Sequence, residues 1–128
     1  MVNRMLELYE LINSNIESIC SCYADHYPED LEKAYPYAEI SFPNISPNNT
    51  FSNLNLLQID IWDDKSTDIR EIEGIADEID KRIKKLQINN DTMQVCIYRN
   101  NPYRLKLNDP EVHIQRRQLR YIVRVYYK

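Results

Sequence analysis

The stretch that most constrains this chain lies near its C-terminus, from His113 to Tyr127. Leu119, Tyr121, Val123 and Val125 fall on one side of an alternating pattern, and Arg120, Ile122, Arg124 and Tyr126 fall on the other. A period of two is the signature of a β-strand. Two unlike faces predict a strand with one side on a core and the other against water or a second subunit. The chain must therefore build a sheet and cover one face of it.

Two helical stripes are available for that cover. Met5, Leu8, Ile12, Ile16, Ile19 and Tyr23 recur at steps of three and four, with Glu7, Glu10, Asn13 and Glu17 opposite, and the helix is expected to fade between Asp25 and Pro28. A second stripe, Ile69, Ile72, Ile75, Ala76, Ile79, Ile83 and Leu86, follows Asp68 and Glu71 at capping-box spacing and ends in Lys81, Arg82, Lys84 and Lys85, which suit the helix dipole. Gly74 inside it costs about 1 kcal/mol relative to Ala, implying slack or a close approach by another backbone. Further strands are expected at Tyr37–Ile45, Leu56–Trp62 and Met93–Arg99. Pro43 and Pro47 make the first of these short or an edge. Residues 24–36 read as a connector, residues 44–55 as a turn-rich loop, and residues 100–110 as turns around an ambiguous segment with little core to hold it.

The expected order is α-β-β-α-β-β. It implies an α+β two-layer fold: a mainly antiparallel four-stranded sheet with two helices packed on one face. A length of 128 residues suits a single domain over 1–128. No apolar run approaches the roughly 20 residues of a membrane span. The amphipathic N-terminus is unlike a signal peptide, so a cytoplasmic site is the default.

Charge is distributed unevenly. Residues 1–96 hold 8 Lys/Arg and 18 Asp/Glu, whereas residues 97–128 hold 8 and 2. One reading is a charge-balanced monomer with basic strands beside acidic helices. The other is a head-to-tail assembly in which one subunit's basic end meets the next subunit's acidic side. Tyr98, Tyr103, Tyr121, Tyr126 and Tyr127 interleave with the arginines of this region. Such a mixture suits a protein interface or single-stranded nucleic acid, and the net charge of -4 favours the protein.

Catalytic chemistry finds little support. One glycine in the chain leaves no phosphate cradle, and no metalloprotease, nucleophile-elbow or EF-hand spacing occurs. Cys20, Cys22 and Cys96 are an odd set read as free thiols. Cys20, Cys22 and His26 lack a fourth local ligand for zinc. Asp60, Asp63 and Asp64 could be imagined holding Mg²⁺ in a nuclease, but they also suit a strand's polar face and a helix start. No catalytic, metal or cofactor residue is assigned, and no cofactor is expected.

The succession of IDIWDD at residues 59–64, an Ile- and Glu-rich helix, NNDTMQVCIYR at 89–99 and RRQLRYIVRVYY at 116–127 resembles the tail terminator family of long-tailed bacteriophages, also labelled tail completion, minor capsid or head-tail joining proteins. The opening helix and Tyr35-Pro36-Tyr37 fit the same pattern, so the resemblance spans nearly the whole chain; the 44–55 loop does not align. The resemblance implies a structural, non-enzymatic virion protein of the tail or neck, assembled in the host cytoplasm. It implies a hexameric ring on the tail tube that stops tube polymerisation and joins the tube protein to the head connector, with DNA passing the pore without specific binding and no membrane partner. On that reading Arg116, Arg117, Arg120 and Arg124 are expected at the subunit interface. Asn48, Asn49, Thr50 and Phe51 are expected to reach the tube or connector. The competing reading is a dimeric ligand-binding or regulatory module of ferredoxin-like order, which moving one strand across the termini would produce.

Overall fold

The computed structural model describes residues 4–47, 52–65 and 67–128. Among these, two helices and six strands follow the order α1 (Arg4–Ile16), β1 (Ser21–Ala24), β2 (Tyr37–Pro47), β3 (Ser52–Asp63), α2 (Arg70–Ile83), β4 (Gln87–Asn89), β5 (Met93–Asn108) and β6 (Gln115–Tyr127). The strands form one sheet in the order β1-β2-β3-β6-β5-β4. All neighbours are antiparallel except β1 and β2, which run parallel.

The sheet is thus six-stranded and mixed, and it curls into a half-barrel around the helices. This overturns the expected two-layer arrangement of four mainly antiparallel strands with two helices on one face. Two devices supply the curl. Register shifts lie between Ser41 and Asn44 on β2 and between Arg99 and Arg104 on β5. A bulge leaves extra residues on one strand, bends it and increases its twist. Long, strongly twisted strands then wrap instead of lying flat. Six strands also remove the four-stranded ferredoxin-like alternative.

The extra strands come from short segments. Helix α1 ends at Ile16, well before the stretch from Asp25 to Pro28 where it was expected to fade. Beyond it Cys22 is buried while Ser21 and Ala24 are exposed, so the spacing of Cys20 and Cys22 belongs to an extended chain entering the core. The core placement of both thiols raises their pKa values through burial, to about 11 for Cys20 and about 12 for Cys22. Strand β2 is long, and Pro43 sits within its register shift, where β1 has already ended and no outer neighbour needs its missing N–H. The 100–110 segment is largely strand and not loose turn: β5 pairs with β6 through Asn108.

Helix α2 starts without the expected capping box. Ile69 occupies the cap position with no side-chain bond, while Asp68 Oδ1 accepts the Arg70 backbone N–H at 3.0 Å. Hydrogen bonds from the Arg70 side chain and backbone hold the Asp68 carboxyl down at about 2. Glu71 pairs with Lys65. Gly74 is exposed, and a Cβ built there meets nothing within 4 Å, so slack is the correct reading. Gly74→Ala is expected to raise the unfolding free energy by about 0.5–1 kcal/mol in urea titration.

One core joins the elements. Leu8, Ile12 and Ile16 from α1 and Ile72, Ala76, Ile79 and Ile83 from α2 are fully buried against inward residues of the strands, including Ile40, Leu57, Ile59, Ile61, Leu119, Tyr121 and Val123. The inward residues of β6 are those the alternation marked. Among the described residues no helix is long and apolar enough to cross a membrane.

Candidate functional site

The basic C-terminal third does not all remain available to a partner. On the inner side of the sheet, α2 turns its acids toward β5 and β6. Arg104 bonds Glu73 at 2.8 Å and Asp77 at 2.6 Å, and Arg117 pairs with the same Glu73. Arg99 donates to Asp80 from Nε at 3.1 Å and pairs with it again through Nη2. Tyr121 Oη donates to Asp80 Oδ1 at 2.8 Å. Burial disfavours the charged form of Asp80, but the bonds from Arg99 and Tyr121 outweigh it, leaving its pKa below the usual carboxylate value. Burial and the adjacent carboxylate push the Tyr121 phenol far up. The chain's charge asymmetry is therefore resolved in part within the chain, by basic strands beside an acidic helix.

On the outer side an aromatic cluster forms. Tyr37 is buried there between Tyr27 at 4.7 Å, Tyr35 at 5.4 Å and Trp62 at 5.1 Å between ring centres. Arg116 lies 5.0 Å above the Trp62 ring and reaches Asp60 Oδ1 at 3.0 Å. Gln118 donates to the same oxygen at 3.0 Å. These tyrosines come from the connector and the first strands, a grouping the sequence pattern did not show. Their signal was only the density of Tyr around residues 23–37.

The connector is a folded lobe. Tyr27 Oη donates to the Glu32 carbonyl at 3.0 Å and accepts the Ala34 N–H at 3.1 Å. Leu31 N–H reaches the Pro28 carbonyl at 3.3 Å. The clamp leaves Leu31 55% exposed, flanked by exposed Glu29, Asp30 and Glu32.

The four expected interface arginines divide accordingly. Arg116 and Arg117 have acidic partners within the chain. Arg120 donates to Gln118 Oε1 at 2.7 Å, and Arg124, which is exposed, has no ion pair among the described residues. Both sit on the outer face of β6. There Ile122 lies between Leu56 of β3 and Tyr98 of β5, and Arg124 lies between Leu54 and Cys96. No helix covers this face among the described residues, and Tyr98 is 52% exposed. The result is an apolar strip flanked by guanidinium groups. It resembles the centre and rim of a protein interface more than a catalytic pocket.

The residues weighed for metal or nuclease chemistry are dispersed. Cys20 and Cys22 face the core, while His26 is exposed beside Asp25. Strand alternation puts Asp60 on the outer face with Arg116 and Gln118, and Asp63 inside with no exposure. Among the described residues no three His, Cys, Asp or Glu side chains gather as metal ligands. Asn48, Asn49, Thr50 and Phe51 lie outside the described residues.

No protein-family model matches the sequence, and no curated protein matches it. Solved structures do match. One is a chain of the virion of a native gene transfer agent particle, with a TM-score of 0.70 and 10% identity over 90% of this chain and 91% of that one. At that identity the likeness is one of fold, and the fold of this chain is similar, nearly end to end, to that of a virion component.

Proposed function

We propose that this chain is a structural, non-enzymatic protein of a phage virion, and more specifically a tail terminator. In this role it forms a hexameric ring at the end of the tail tube, stops tube growth and joins the tail to the head connector. The ring is located in the tail or neck and assembles in the host cytoplasm, and DNA crosses its pore without specific binding. The observation that carries the proposal is the end-to-end fold likeness to a gene transfer agent virion chain at a TM-score of 0.70. The sequence resemblance, from IDIWDD through RRQLRYIVRVYY, points to the same class independently.

An uncovered sheet face with unspent arginines suits a protein that acts by contact. Arg120 and Arg124 are the members of the expected set with charge left for a neighbour; Arg116 lies on the same face but is engaged by Trp62 and Asp60, and Arg117 holds Glu73 on the inner side. Residues 48–51, between β2 and β3 in sequence, are proposed to reach the tube or connector. Negative-stain imaging of the chain, alone and added to terminator-free tail tubes, tests the reading. A sixfold ring with an open pore, free or seated on tube ends, is expected. Neither a ring nor tube capping at micromolar concentration removes it.

A further inference from the structure

The outer sheet face and the connector lobe have complementary chemistry, and neither is occupied by the described residues of the same chain. The face offers Leu56, Tyr98 and Ile122 with Arg120 and Arg124 alongside. The lobe offers one exposed leucine, Leu31, among Glu29, Asp30 and Glu32. None of these three carboxylates has an ion pair among the described residues. Nor does any hydrogen bond or ion pair there join the lobe to Arg120 or Arg124 of the same chain. The lobe is anchored through Tyr27 beside Tyr37, whose cross-strand row continues through Trp62 to Arg116. Arg120 lies four residues farther along β6, about 13 Å at the usual strand rise.

We propose that the 28–34 lobe of a second copy of this chain docks on that face, with Leu31 against Ile122 and Tyr98 and its acids against Arg120 and Arg124. The inference deepens the ring reading above and rests on it for the identity of the partner. Three features favour a second copy over an unrelated partner. The chain itself carries both halves of the match. Each half pairs apolar surface with charge mainly of one sign, the three acids of the lobe outnumbering its single base, Lys33, which gives both burial and register. The lobe is already held in shape by the two Tyr27 hydrogen bonds, so little ordering cost remains to be met on docking. A nucleic acid strand would satisfy the arginines and stack on Tyr98, but it would leave the exposed Leu31 unexplained and would meet a chain of net charge -4.

A charge swap tests the pairing. Variant one carries Arg120→Glu with Arg124→Glu. Variant two carries Glu29→Lys, Asp30→Lys and Glu32→Lys. Self-association is measured by analytical ultracentrifugation across concentration at low and high salt. Circular dichroism reports folding, and Leu31→Asp serves as a milder probe of the lobe. The wild type is expected to associate, less so at high salt. Each variant alone should lose at least about tenfold in association, the scale of one or two desolvated charge pairs. Their equimolar mixture should recover it, because each reversed surface now meets its opposite.

A wild type monomeric throughout, either variant associating like the wild type, or a mixture that fails to recover would overturn the pairing. So would binding of a labelled oligothymidylate by the wild type that disappears in variant one. The two readings fail separately. A two-body complex that obeys the swap keeps the pairing and removes the ring, whereas a sixfold ring indifferent to the swap keeps the ring and removes the pairing.

Discussion

Replacing Asp80 with alanine is expected to lower the unfolding free energy by about 3 kcal/mol. Asp80 is 6% exposed on the inner side of α2 and accepts from both Tyr121 and Arg99. Its removal strands the Tyr121 hydroxyl in the core, and a buried donor left unsatisfied costs about 1–3 kcal/mol. The charge-assisted bonds from Arg99 add a loss of similar size. Arg99, with 42% of its side chain exposed, recovers some water, which keeps the total near the middle of the combined range. Urea titration measures the loss. The double variant Asp80→Ala with Tyr121→Phe should lose less than the two singles together, by about 1 kcal/mol, because one bond is then removed from both ends.

The same group sets part of the acid response. The Asp80 pKa is lowered in the folded state. Its contribution is therefore present above the unfolded carboxylate value of about 3.9 and is lost as pH falls through the lower folded value. Asp80→Asn should flatten that part of the stability profile below about pH 4. An unchanged profile would assign the acid response to other carboxylates.

Ile59→Ala is expected to cost about 4 kcal/mol, in the upper part of the range for large-to-small core substitutions. Ile59 is fully buried on β3, opposite Ile40 of β2 and Leu119 of β6, and faces the core that the helices fill. A site backed by paired strands on both sides collapses poorly around a lost side chain, so most of the cavity remains. The contrasting change Ile45→Ala, on the half of β2 beyond its bulge, should stay within about 0.5 kcal/mol, since that side chain is 48% exposed. Equal losses at the two positions would contradict the difference in burial between them.

Much of the candidate surface was legible in the chain, and much was not. The outward alternation of Arg120, Ile122, Arg124 and Tyr126 was visible because it belongs to one strand. Which arginines stay free was not. Arg99 meets an acid 19 residues away and Arg116 one 56 residues away. Such partners are brought together by sheet order, on which local spacing is silent. The lobe was read from the sequence only as a connector; its shape depends on Tyr27 reaching across to Glu32 and Ala34.

By itself the sequence determined what the backbone period determines. Leu8, Ile12 and Ile16, and Ile72, Ala76, Ile79 and Ile83, had to share helix faces. Leu119, Tyr121, Val123 and Val125 had to share a strand face. Tertiary structure alone decided the rest. Strands β1 and β4 are four and three residues long, too short to carry a period, and they exist because longer neighbours offer them an edge. The bulges at Ser41–Asn44 and Arg99–Arg104 curl the sheet. Sheet order and the placement of α2 set one row of arginines against acids and leave the other facing out, because a strand's two faces meet whatever the fold places on each side.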